Sequence, residues 1–168
     1  MSRARLEIFS DAVLAVAITL LALDLVVKGP GHGSLTGLLF HEWPAFAAYV
    51  ISFFTIGIVW VNHHALLSNV ELVDRSLLFF NLVLLLFVVL IPDATRLLAA
   101  YLSNGGPGAH VAAVVYGVVL EGMSVGFILM VEWMFRSEWT EPSIPPDRRW
   151  ASRRRYYVAP VLYLGIIG

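Results

Sequence analysis

A few side chains that carry charge or share protons interrupt long apolar runs, and their spacing limits the chemistry open to them. Arg5, Glu7 and Asp11 lie at the start of the first run, and Asn62, His63 and His64 near the end of the second. Asn81 lies early in the third and Glu121 near the middle of the fourth. A carboxylate at a membrane edge is costly unless paired or wetted, so Asp11 needs a cation, a donor or water from outside its own helix. Arg5 and Asp11 are six residues apart, roughly 600° around a helix, and face different directions. Glu7 and Asp11, at i and i+4, repel one another, whereas Arg3 and Glu7 at the same spacing attract. Neighbouring histidines point about 100° apart and lack the i, i+4 spacing of a helical metal pair, which argues against a metal site. The pattern predicts an interhelical hydrogen-bond layer in which depth permits Asp11 to meet a histidine or Asn62, with Asn81 joining from the third helix. Glu121 is a candidate site by its depth, or equally a carboxyl held in a packed interior. There is no Ser–His–Asp arrangement at defensible spacing, no metal motif and no phosphate loop.

These residues must be positioned by membrane-spanning helices. Of the 168 residues 59% are hydrophobic and only 14% charged, against about 25% charged in soluble domains, and the mean hydropathy is +0.80. A hydrocarbon core about 30 Å thick needs about 20 helical residues, and the chain supplies four such segments, near 5–27, 44–69, 76–99 and 111–135. A fifth apolar stretch, 156–168, is too short to cross. Glycines and prolines mark linkers at Lys28–Glu42 and Ser103–His110, and Pro142, Pro145 and Pro146 lie in a polar loop at Arg136–Arg155. The expected fold is thus an all-α membrane protein, a multi-span transmembrane helix bundle forming one domain over 1–168.

Basic residues divide unevenly between the two sides of the spans. Arg3, Arg5, Arg75, Arg136, Arg148, Arg149, Arg153, Arg154 and Arg155 fall on one side, and Lys28 and Arg96 on the other. The basic side, with the N-terminus, is expected to be cytoplasmic. Arg148–Arg155 reads as a topology determinant at anionic lipid. No cleavable signal is expected, because Glu7 and Asp11 interrupt the pattern and the apolar run continues to Val27. A net charge of −1 argues against a nucleic-acid partner, and the absence of cysteine excludes disulfides and thiolate chemistry.

On the first helix, Val13, Val16, Leu20, Leu23 and Val27 fall on one stripe, with Phe9 at its inner end and Thr19 beside Leu20. Alanines 12, 15, 17 and 22 flank it and permit close helix approach. Composition alone also fits an ordinary packed helix. Gly122 and Gly126 form a Gly-x-x-x-Gly on the fourth span, and Trp43, Trp60, Trp133, Tyr101, Tyr156 and Tyr157 read as interface anchors.

Arg5 followed by Phe9-Ser10-Asp11, then Ala12-Val13, Thr19-Leu20-Leu21 and Leu23, resembles the transmembrane protein 175 family of potassium channels. Trp60-x-Asn62-His63-His64, Asn81 and Ile91-Pro92 extend the likeness over most of the chain. The Thr-Val-Gly-Tyr-Gly filter of ordinary potassium channels is absent, as in that family. The resemblance implies a potassium-selective, leak-type cation channel with the first helix lining the pore and potassium as the permeant ion, without cofactor. It implies a hydrophobic constriction at Val16, further apolar layers at Leu20 and Leu23, and Thr19 as the hydroxyl position tied to selectivity. It marks Arg5, Phe9, Ser10, Asp11, His63, His64 and Asn81 as the motif and its polar layer. It further implies a homo-oligomer, most naturally a tetramer, in a bacterial cell membrane, and a six-helix pattern whose last part lies beyond this chain. Asp24, near the outer end, would raise the local cation concentration. The alternative is a proton-conducting or proton-coupled protein with Asp11, His63, His64 and Glu121 as a relay; an enzyme is not expected.

Overall fold

The computed structural model describes residues 2–23, 25, 34–102 and 106–136. Within them lie α1 (Arg3–Leu23), α2 (Leu35–His41), α3 (Trp43–Leu67), α4 (Arg75–Leu102) and α5 (Pro107–Arg136). α1, α3, α4 and α5 are long and apolar enough to cross a bilayer, so the protein is an all-α, multi-span membrane protein. The apolar stretch at 156–168 lies outside the described residues.

The spans match the apolar runs, and their ends are set by local chemistry. α5 begins at Pro107 rather than at 111, because proline in the first turn gives up an N–H that has no helical partner there. Gly106 precedes it with φ 82°, a left-handed conformation that glycine adopts without penalty. The short α2 falls inside the expected Lys28–Glu42 linker. The turn-forming residues of that linker, Gly29, Pro30, Gly31 and Gly33, all precede Leu35, and the segment from Leu35 to His41 is apolar enough to coil once more.

α4 and α5 form the most intimate pair. A Cβ placed on Gly126 would lie 2.8 Å from the Leu84 backbone, and one on Gly122 would enter the Phe87 ring. The Gly-x-x-x-Gly is therefore the seat of the α4–α5 contact, around which Leu84, Val88, Ile91, Leu120, Met123 and Met130 are buried. α3 closes on this hairpin through three buried hydroxyls. Ser52 Oγ lies 2.7 Å from Thr95 Oγ1 and 2.9 Å from Tyr116 Oη, and Thr95 also donates to the Ile91 carbonyl at 2.7 Å. That last bond lies beside Pro92, whose ring leaves no N–H to donate inside the helix.

α1 runs antiparallel to α3. Arg3 donates to the Ser68 carbonyl at 3.0 Å, Glu7 Oε1 meets His64 Nδ1 at 2.8 Å, and Asp11 Oδ1 accepts from Trp60 Nε1 at 2.9 Å. Residues 3, 7 and 11 of α1 thus meet Ser68, just past the end of α3, and His64 and Trp60 within it, rung by rung, because positions four apart share a helix face.

Candidate functional site

Two faces of α1 have different fates. Leu6, Ser10, Leu14, Ala17 and Leu21 are all at most 2% exposed and pack against α3 and α4. Around the helix from them, Val16 is 56%, Leu20 39% and Leu23 68% exposed, with Thr19 and Phe9 also uncovered. The Thr19 hydroxyl donates back to the Val16 carbonyl at 2.8 Å. Val13, on the same expected stripe, is half-buried against the core, which narrows the uncovered part to Val16 and beyond. Val27 and Asp24 lie outside the described residues.

Ser10, His63 and Asn81 meet in a fully buried cluster that joins α1, α3 and α4. Asn81 Nδ2 donates to Ser10 Oγ at 3.0 Å, and His63 Nε2 lies 2.8 Å from Asn81 Oδ1. The Ser10 hydroxyl lies 2.9 Å from the Leu6 carbonyl and 3.2 Å from Asn81 Oδ1, either of which it can bond. With Nε2 donating, His63 Nδ1 is left as a buried acceptor without a hydrogen-bond partner among the described residues.

The remaining motif residues are arranged differently from the expected layer. Asp11 meets the Trp60 indole rather than a histidine or Asn62, and His64 meets Glu7. Asp11 is one residue past Ser10, about 100° around the helix, so it cannot share the buried cluster. Trp60 lies one turn before His64 on the same face of α3 and supplies the donor. Arg5 and Phe9 are exposed, outside the cluster, because they project from the uncovered side of α1. Arg3, not Arg5, is the arginine that ties the two helices.

Depth alone gave no hint that two tryptophans bond carboxylates. Trp60 does so to Asp11, and Trp133 Nε1 donates to Asp74 Oδ2 at 3.0 Å while Asp74 Oδ1 caps Leu77 N at 2.8 Å. Glu121 is half-buried, and its Oε2 has no hydrogen-bond partner among the described residues. Asp11, His63 and His64 thus take different hydrogen-bond partners, Trp60, Asn81 and Glu7, and Glu121 lies on α5.

A family model described as endosomal/lysosomal potassium channel TMEM175 matches residues 5–92, which hold the α1 motif, all of α3 and the first part of α4. The chain belongs to the TMEM175 family. A potassium channel of Streptomyces collinus is 50% identical over 124 residues, covering 73% of this chain and 60% of that protein. One from Chamaesiphon minutus is 40% identical over 128 residues, covering 73% and 61%. The chain therefore spans about three-fifths of the length of these two curated relatives. The crystal structure of a lysosomal potassium-selective channel TMEM175 homolog from Chamaesiphon minutus superposes with a TM-score of 0.81 at 34% identity, covering 98% of this chain and 84% of that one.

Proposed function

We propose that this chain is the subunit of a potassium-selective, leak-type cation channel, with the uncovered face of α1 lining the pathway once copies assemble around an axis. The observation that carries the reading is the division of α1 into a packed side and a bare side. Leu6, Leu14 and Leu21 are sealed inside the chain, which leaves Val16, Leu20 and Leu23 in a row on the other side, free to meet the same residues of other copies. The potassium-channel names of the bacterial relatives support the same reading.

In this reading Val16, Leu20 and Leu23 form successive dry rings, and Thr19 supplies the hydroxyl that favours potassium. Asp24 would raise cation concentration at the outer end. Rings without polar atoms pass ions by transient wetting, which favours the less tightly hydrated potassium over sodium. The buried Ser10–Asn81–His63 cluster fixes the rotation of α1 and so decides which side faces the axis. The N-terminus is cytoplasmic, the membrane is that of a bacterial cell, and four copies surround the path. No catalytic role is assigned to any residue.

Flux into liposomes holding the purified protein tests this. Potassium should pass faster than sodium. Val16→Asn and Leu20→Asn should raise total cation flux and erode the discrimination, whereas Ile18→Val, on the half-buried side of α1, should leave both unchanged. Asparagine at 16, 20 and 23 without effect on either quantity removes α1 from the pathway, and flux carried by protons alone replaces potassium as the permeant ion.

A further inference from the structure

α4 turns one face away from the rest of the chain, along Phe79, Leu82, Leu86, Val89, Asp93 and Arg96. The first four are apolar, as contact with lipid or with another copy requires. The last two are a carboxylate and a guanidinium, joined at 2.6 Å and still 67% and 63% exposed. One short contact uses only part of their capacity, since a guanidinium carries five N–H donors and a carboxylate about four acceptor sites. Acyl chains would leave the remainder unsatisfied, but Arg96 comes 21 residues after Arg75, about 31 Å along α4 and so a full hydrocarbon thickness away, where water can supply it.

The position of the pair along the bundle is fixed by Asn81, which touches Ser10 of α1. Arg96 comes fifteen residues after Asn81, which carries it about 22 Å along α4 and about 60° around it. The same rise takes α1 from Ser10 to the level of Leu25, just past Leu23. Arg96 therefore lies at the level where the bare stripe of Val16, Leu20 and Leu23 ends, about 60° around α4 from the side on which Asn81 meets both Ser10 of α1 and His63 of α3.

We propose that the Asp93–Arg96 pair lines a water-filled vestibule at the end of the cation path remote from the N-terminus, with Arg96 masking the attraction of Asp93 for cations. This rests on the channel reading above. A lone carboxylate within about one Debye length of a pore mouth concentrates cations there, and a guanidinium bonded to it cancels most of that field.

The chain contains no cysteine, so single cysteines report without background. In lipid nanodiscs, where both faces are open to reagent, Asp93→Cys and Arg96→Cys should react with a charged, membrane-impermeant methanethiosulfonate, and Leu86→Cys on the same face should not. Protection of both 93 and 96 in nanodiscs puts the pair against lipid or another copy and overturns the proposal. This labelling is read without any flux, so it stands apart from the channel reading, which fails if wild-type liposomes carry no potassium. In low salt, Arg96→Gln should raise potassium conductance about two-fold or more, and Asp93→Asn should lower it. Both differences should shrink at 1 M salt, and Arg96→Lys should match the wild type. Equal conductance of Arg96→Gln, Asp93→Asn and wild type in low salt removes the pair from the vestibule and also overturns the proposal.

Discussion

At the scale of single residues, the cost of breaking the polar contacts depends on burial more than on charge. Asn81 serves Ser10 and His63 at once, and all three are fully buried. Asn81→Ala therefore orphans two groups together and should cost about 1–3 kcal/mol, although single hydrogen bonds between membrane helices average only about 0.6 kcal/mol. Asp11, bonded to an exposed Trp60, leaves behind an indole that lipid headgroups or water can satisfy. Asp11→Ala should consequently cost under about 1 kcal/mol, the low end for a half-exposed polar pair. Unfolding in mixed micelles by increasing dodecyl sulfate measures both. If Asp11→Ala proves the more damaging of the two, the rung to Trp60 and not the buried cluster fixes α1. Depth put the histidines at the level of Asp11 with Asn81 joining from the third helix, and the family motif added Ser10. Neither showed which neighbour each would take, because a 100° step around a helix separates partners that share a depth. Ser52, Thr95 and Tyr116 escaped altogether, since three hydroxyls on three separate helices carry no local spacing signal.

At the scale of elements, the four spans were legible because a bilayer demands long apolar runs and the chain has few other uses for them. Such runs do not disclose which side packs. In water a buried face is apolar and a bare one polar, but in a membrane both are apolar, so Leu14 and Val16 look equivalent until the fold separates them. For the same reason Val13 fell on the expected stripe and proves half-buried. Small residues are a better guide, and the glycines of α5 show how local that guide is. Gly126→Ala places a methyl against the Leu84 backbone, which has nowhere to go, and should cost about 1–3 kcal/mol as α4 and α5 are pried apart. Gly57→Ala on α3 meets nothing within 4 Å and should be neutral or slightly stabilising, since alanine is the better helix former. Thermal unfolding of the two variants in one detergent decides it. Equal losses at both positions indicate that glycine matters here for backbone freedom rather than close packing.

At the scale of the whole molecule, a single copy leaves its first helix oddly unfinished. In the most apolar stretch of α1 only 28% of residues are buried within the chain, against 33% for α3, 44% for α4 and 50% for α5. An apolar face can rest against lipid at no cost, so exposure alone does not demand a partner. The argument for assembly is functional: one bare stripe cannot surround an ion, and several related by a rotation axis can. Copies so related bring each residue of the stripe close to its own equivalents. The narrowest ring should therefore trap disulfides between copies at positions on the stripe and not behind it. In this cysteine-free chain, Leu20→Cys and Leu23→Cys should cross-link under mild oxidation, while Leu21→Cys, at 2% exposure inside its own chain, should not. Native mass spectrometry from a gentle detergent should give a mass of four chains, and the disulfides should leave dimers after denaturation. A monomer that conducts places the path inside one chain, and cross-linking at position 21 as efficient as at 20 and 23 removes α1's bare side from the axis.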